Sequence, residues 1–201
     1  TAWTCARAKA TPQAMKETEA RYKVNEIFYS LQGEGYYTGT PAVFLRFAGC
    51  NRRCAFCDTD HAHGTAMSAA DIVEACSKYP GRHIVVTGGE PLMQLDDVLV
   101  RALKGAGFYI QIETNGSLPA PTGVDWVTCS PKDTPWGIDR IDELKVVYQG
   151  QDVEEIASLL PSPHRFLQPC SGLNTAETVA YILAHPHWSL SLQTHKLIDI
   201  Q

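Results

Sequence analysis

From residue 22 onward, short apolar or β-branched runs alternate with segments whose apolar residues recur at helical spacing. The runs at 24–29, 42–47, 83–87, 108–113, 125–129, 144–148, 165–167 and 189–193 predict strands. Several are almost continuously apolar or β-branched, as strands covered on both faces are. Ser68 with Asp71, Asp152 with Glu155, and Asn174 with Glu177 mark helix starts: each sets a capping side chain and an acid three residues on before an apolar stripe. A helix over 95–106 buries Val98, Leu99, Ala102 and Leu103, with Gly105 and Gly107 to end it.

Alternating strands and helices predict a mostly parallel sheet with right-handed crossovers. The connections 114–124 and 130–143 are too rich in proline and glycine to hold helices, which argues against a closed barrel. The expected fold is α/β, a truncated, open (β/α) barrel. Residues 1–21 lack periodicity and read as an N-terminal extension outside the core; residues 22–201 read as one catalytic-sized domain.

Composition narrows the function. With 17 basic and 22 acidic residues, the net charge of −5 argues against a nucleic-acid-binding surface. No apolar run approaches the roughly 18 residues of a membrane span, and the first residues lack the apolar core of a secretory signal. Seven cysteines are an odd set for a disulfide framework, and three of them fall within eight positions, so a cytoplasmic protein is expected.

Those three form Cys50-Asn-Arg-Arg-Cys54-Ala-Phe-Cys57, directly after the run 42–47. Thiolates suit iron–sulfur clusters and zinc. A fourth cysteine is missing locally. Either His61 and His63 complete a zinc site, or one iron of a cluster stays open for a cofactor. The run 83–87 leads into Gly88-Gly89-Glu90-Pro91, where glycines let a ligand approach the backbone and the carboxylate can hold an ammonium group.

The cysteine spacing, with Phe56 before the last cysteine, and the GGEP segment resemble the radical S-adenosylmethionine (SAM) superfamily. That resemblance implies a 4Fe–4S cluster on Cys50, Cys54 and Cys57, with SAM on the open iron. Further segments resemble one family within it, the 7-carboxy-7-deazaguanine synthases of queuosine biosynthesis. They are Leu31-Gln-Gly-Glu-Gly35, Val43-Phe-Leu-Arg46, Asp58-Thr59, Ile112-Glu-Thr-Asn115, Ser130-Pro-Lys132, Gln168-Pro169 and Ser191-Leu-Gln-Thr-His195-Lys196. The likeness covers about residues 23–201.

What the family resemblance implies is specific. The reaction is radical ring contraction of 6-carboxy-5,6,7,8-tetrahydropterin to 7-carboxy-7-deazaguanine with loss of ammonia. SAM would be held by Phe56, Cys57, Asp58, Gly88, Gly89, Glu90, Ser130, Pro131, Lys132, Gln168, Pro169, Cys170 and Ser171. The pterin would meet Leu31, Gln32, Gly33, Glu34, Arg46, Thr87, Asn115, His195 and Gln201, the last through a terminal carboxylate. Thr59 would ligate a magnesium ion (Mg2+) against the substrate carboxylate. An electron-donor protein such as a flavodoxin and a homodimeric state are implied as partners.

Plainer readings stand beside these. Arg46 in an apolar strand is also explained by an internal ion pair, Gly33 and Gly35 by a tight turn, Thr59 by a cap, and Lys132 by a solvated loop charge. Cys76 and Cys129 read as buried core thiols. The short cluster loop departs from members that carry an insertion there. A glycyl-radical-enzyme activase shares the cysteine spacing but needs no pterin pocket, and a zinc-stabilised interaction module is the non-enzymatic reading.

Overall fold

The computed structural model describes residues 21–55, 57 and 59–201; the expectations placed on Phe56, Asp58 and residues 1–20 lie outside the described residues. Nine strands form one sheet: β1 (Tyr22–Leu31), β2 (Pro41–Phe47), β3 (Thr65–Met67), β4 (His83–Gly88), β5 (Tyr109–Thr114), β6 (Trp126–Cys129), β7 (Glu143–Tyr148), β8 (His164–Pro169) and β9 (Ser189–Leu190). The order is β3-β1-β2-β4-β5-β6-β7-β8-β9, antiparallel between β3, β1 and β2 and parallel from β2 to β9. Helices α1 (Ala69–Ser77), α2 (Asp97–Gly105), α3 (Val153–Leu159), α4 (Thr175–Ala184) and α5 (Thr194–Leu197) complete the described fold. None of the described helices is long and apolar enough to cross a membrane.

The helix starts show why these segments are helical. Ser68 and Asp71 form a reciprocal capping box on α1, and Asp152 accepts from the amides of Glu154 and Glu155 on α3. Asp96 caps α2 by accepting from Leu99, so that helix begins at Asp97 rather than 95. The expected Asn174 cap is not made. Its side chain instead accepts from the Cys170 amide and donates to the Tyr148 carbonyl, tying α4 to the ends of β7 and β8.

Period-two alternation sorts the strand side chains. Ile84 and Val86, Ile110 and Ile112, Val127, Leu144, Val146 and Leu167 are buried in two apolar clusters with the helices. Each such side chain contributes roughly 1.5–3 kcal/mol on burial. Their alternates, Gln111, Glu113, Thr128, Glu143, Lys145 and Gln168, form the polar inner face. The expectation of strands apolar on both faces is therefore corrected: one face is apolar core, while the other lines a polar interior.

Two further corrections concern the edges. Strand β3 was not expected; it adds three residues antiparallel to β1. The final strand is only Ser189–Leu190; the Ser191 amide still donates to the Leu167 carbonyl of β8, and the chain then runs on to α5. As expected, no helix intervenes between β5 and β6 or between β6 and β7.

Candidate active site

The C-terminal ends of the parallel strands surround two adjoining chambers of about 280 and 360 Å³. Glu34, Thr59, Gly89, Asn115, Lys132 and Gln168 border both. A molecule in one chamber thus sits against a molecule in the other. Such a position, outside the carboxyl ends of parallel strands, is where open α/β sheets bind ligands.

The larger chamber holds the cysteine loop. Cys50, Cys54 and Cys57 all line it, with Arg52, Arg53 and His61. The loop is pinned at its root. The Glu90 amide donates to the Gly49 carbonyl at 3.0 Å and the Gly49 amide to the His61 carbonyl at 2.7 Å. A Cβ at Gly89 would overlap the Gly49 carbonyl and the Cys50 side chain. The glycine therefore admits the cysteine loop itself to the end of β4, a role beyond the ligand approach expected of it.

Glu90 is placed differently from expectation. Its carboxylate is fully buried and accepts from the Leu92 amide, the Thr114 hydroxyl and the Asn115 amide at 3.0, 2.8 and 2.7 Å. It lines neither chamber, and it ties the ends of β4 and β5. Burial pushes its carboxyl up despite those donors. Pro131 and Cys170 border neither chamber, although their neighbours Ser130, Lys132, Pro169 and Ser171 do.

The smaller chamber brings together Leu31, Gln32, Gly33, Glu34, Arg46, Thr87, Asn115, His195 and Gln201, along with Thr59. Arg46 makes the internal ion pair with Glu26, Nε to Oε1 at 2.7 Å, and still borders this chamber. Gln201 donates through Nε2 to the same Glu26, and its main-chain oxygen accepts from the Ser30 hydroxyl. His195 packs its ring against Gly33, where a Cβ would overlap the imidazole.

A charged floor was missed in the sequence. Lys145 Nζ donates to Glu34 Oε2 at 2.7 Å and to Glu113 Oε2 at 2.8 Å, and its side chain is only 4% exposed. Burial works against the Lys145 charge, but Glu113, Glu34 and Glu143 outweigh it and raise its pKa. Burial also drives Glu113 up, to about 7, with Lys145 opposing and Glu143 and Glu34 adding. For Glu34 the balance reverses. Lys145 and the hydrogen bonds from Lys145 and Gln193 overcome burial and hold it below the ordinary value. The clue was present as alternation: Gln111 and Glu113, like Glu143 and Lys145, interrupt buried strands at period two.

The barrel mouth is closed by two remote segments. The Thr194 amide and hydroxyl both donate to the Gly33 carbonyl at 2.9 Å, and Gln193 Nε2 donates to Glu34 Oε1 at 2.9 Å. The loop after β1 thereby joins the segment after β9 across the gap an open barrel leaves.

Three cysteines on the loop after a strand of an open parallel half-barrel, facing a glycine pair on the next strand, define a radical SAM protein. The model of the Radical SAM superfamily matches residues 45–145. A 7-carboxy-7-deazaguanine synthase of Bacteroides thetaiotaomicron is 60% identical over 180 residues, 89% of this chain and 98% of that protein. One from Bordetella pertussis is 45% identical over 208 residues, covering 89% and 99%. Among solved structures, the crystal structure of QueE from Escherichia coli matches with a TM-score of 0.79 at 31% identity, covering 93% of this chain and all of that one. The chain belongs to the 7-carboxy-7-deazaguanine synthase family.

That membership implies a 4Fe–4S cluster and SAM, and the residues present fit both. Three thiols of one loop border one chamber, and soft sulfur donors are what an iron–sulfur cluster takes. Beside the thiols, Gly88, Gly89, Lys132, Gln168 and Ser171 leave space for a second molecule.

Proposed function

We propose that this chain converts 6-carboxy-5,6,7,8-tetrahydropterin to 7-carboxy-7-deazaguanine by radical ring contraction with loss of ammonia. The family membership supports this, and the observation that carries it is the pair of chambers sharing a wall. When bound, the reduced cluster and SAM supply a 5′-deoxyadenosyl radical. The chain's own residues hold the two reactants against each other. Gln168, Asn115 and Lys132 face both chambers, so they orient both molecules at the point of contact.

On the pterin side, Arg46 is a guanidinium beside the smaller chamber, and its planar donors suit the substrate carboxylate. The Glu34–Lys145–Glu113 floor offers carboxylate acceptors to the amino and ring N–H groups of the pterin edge. His195, held by Gly33, flanks the same ring. Thr59 borders both chambers, where its oxygen is suited to a magnesium ion that takes its remaining ligands from substrate and water.

An acidic electron-donor protein of the flavodoxin type fits the surface at the cysteine loop, where Cys57 is exposed and Arg53 borders the chamber. A homodimer is favoured by the exposure of Leu173, Leu183, Leu197 and Ile198, at 89, 79, 71 and 59%. The reaction is tested by anaerobic incubation with SAM, dithionite, magnesium and the carboxypterin, followed by mass analysis. Formation of the deazaguanine acid is expected; unchanged pterin with an intact cluster would overturn the assignment.

A further inference from the structure

Arg52 stands between the first two cysteines, and its side-chain donors are only partly paired. Its main-chain N–H donates to Cys50 Sγ at 3.4 Å. Its guanidinium crosses to the loop after β6, where Nη2 donates to the Asp133 carbonyl at 2.8 Å and reaches the Pro135 carbonyl at 3.5 Å. The side chain thus forms part of the wall of the cysteine chamber. Nε, between those two anchor points, is buried and has no hydrogen-bond partner among the described residues.

A buried N–H without an acceptor carries its full desolvation penalty, and a charged one carries more. Here no described residue supplies the acceptor. The group that arrives when the chamber is filled is an iron–sulfur cluster, whose sulfides and thiolates are anionic acceptors. We infer that Arg52 is a redox-positioning residue, whose Nε–H donates to an anionic sulfur of the cluster and raises its reduction potential. The inference rests on the family reading that places the cluster on these cysteines.

The sign follows from charge. Uptake of one electron makes the cluster more negative, so an adjacent guanidinium and a hydrogen bond to sulfur stabilise the reduced form more than the oxidised one. Hydrogen bonds to sulfur and local charge are established levers on cluster potential. The same guanidinium ties the cysteine loop to residues 133 and 135, so a latch role must be separated from a redox role.

The experiment uses the full chain, reconstituted anaerobically as wild type, Arg52→Met and Arg52→Lys. Iron content is measured first, and then the cluster midpoint by dithionite titration followed by electron paramagnetic resonance. Arg52→Met is expected to lower the equilibrium constant for one-electron reduction about tenfold, which is about 59 mV, with Arg52→Lys intermediate. Wild type carrying arginine labelled with 15N at Nε is expected to show a 15N coupling to the reduced cluster that Arg52→Lys loses. Unchanged potentials at full iron content, or no such coupling in wild type, would overturn the inference. Should Arg52→Met fail to assemble a cluster, the labelled wild type still decides. A wild type that binds no cluster would instead sink the family reading beneath it.

Discussion

Ser191 Oγ donates to Gln168 Oε1 at 2.9 Å, and this decides which end of the Gln168 amide meets the ligands. The Gly35 amide donates to the same hydroxyl at 3.0 Å, so the hydroxyl proton goes to Gln168 and the glutamine atom receiving it is the oxygen. The Gln168 N–H group is then left to meet a ligand in the chambers this residue borders. Ser191→Ala is expected to weaken SAM binding roughly tenfold, about 1.4 kcal/mol. Gln168→Ala added to Ser191→Ala should cost little more, since both act through one amide. Isothermal titration on cluster-loaded protein checks this; additive losses would show the two side chains acting separately.

The cysteines should divide into two sets. Cys50, Cys54 and Cys57 border the chamber, whereas Cys76 and Cys129 are fully buried in the apolar clusters. Alanine at any of the first three is expected to abolish cluster binding and turnover. Cys76→Ala and Cys129→Ala should keep both, losing only stability to the small cavity. Iron content and visible absorbance after reconstitution give the answer, and a motif variant with full iron would contradict the ligand assignment.

Glu113 makes stability depend on pH in a direction opposite to an ordinary ion-paired carboxylate. Burial holds it at about 7 in the folded chain against the ordinary 4.5. Between those values the folded state keeps a proton that the unfolded chain has released. Its contribution to stability therefore falls as pH rises from about 4.5 to about 7. Glu113→Gln removes that slope. Urea midpoints on either side of the window, compared between wild type and variant, should show a smaller acid-side advantage in the variant; parallel profiles would place Glu113 at its ordinary value.

Magnesium dependence should report on Thr59, which faces both chambers. Thr59→Ala is expected to raise the magnesium concentration needed for half-maximal turnover roughly tenfold, as the loss of a ligand worth about 1.4 kcal/mol would. Arg46→Ala should mainly raise the KM for the pterin. Identical magnesium curves for wild type and Thr59→Ala would remove the residue from the metal site.

Local information was enough for most of the elements and for bringing the three cysteines together. Apolar and β-branched runs placed eight of the strands but missed β3, the Ser68, Asp71 and Asp152 caps are short-range hydrogen bonds, and Cys50, Cys54 and Cys57 lie within one loop. What tertiary structure alone decided was which polar residues face one another. Lys145 meets Glu34 across 111 positions and Glu113 across 32, so neither contact leaves a local trace. Sequence separation also hid the Glu90 contacts with the Thr114 hydroxyl and the Asn115 amide, 24 and 25 positions away. It also hid the closing of the barrel mouth, in which Thr194 donates to Gly33 over 161 positions. A pattern along the chain shows which face a side chain is on; only the curvature of the sheet brings two such faces together around one space.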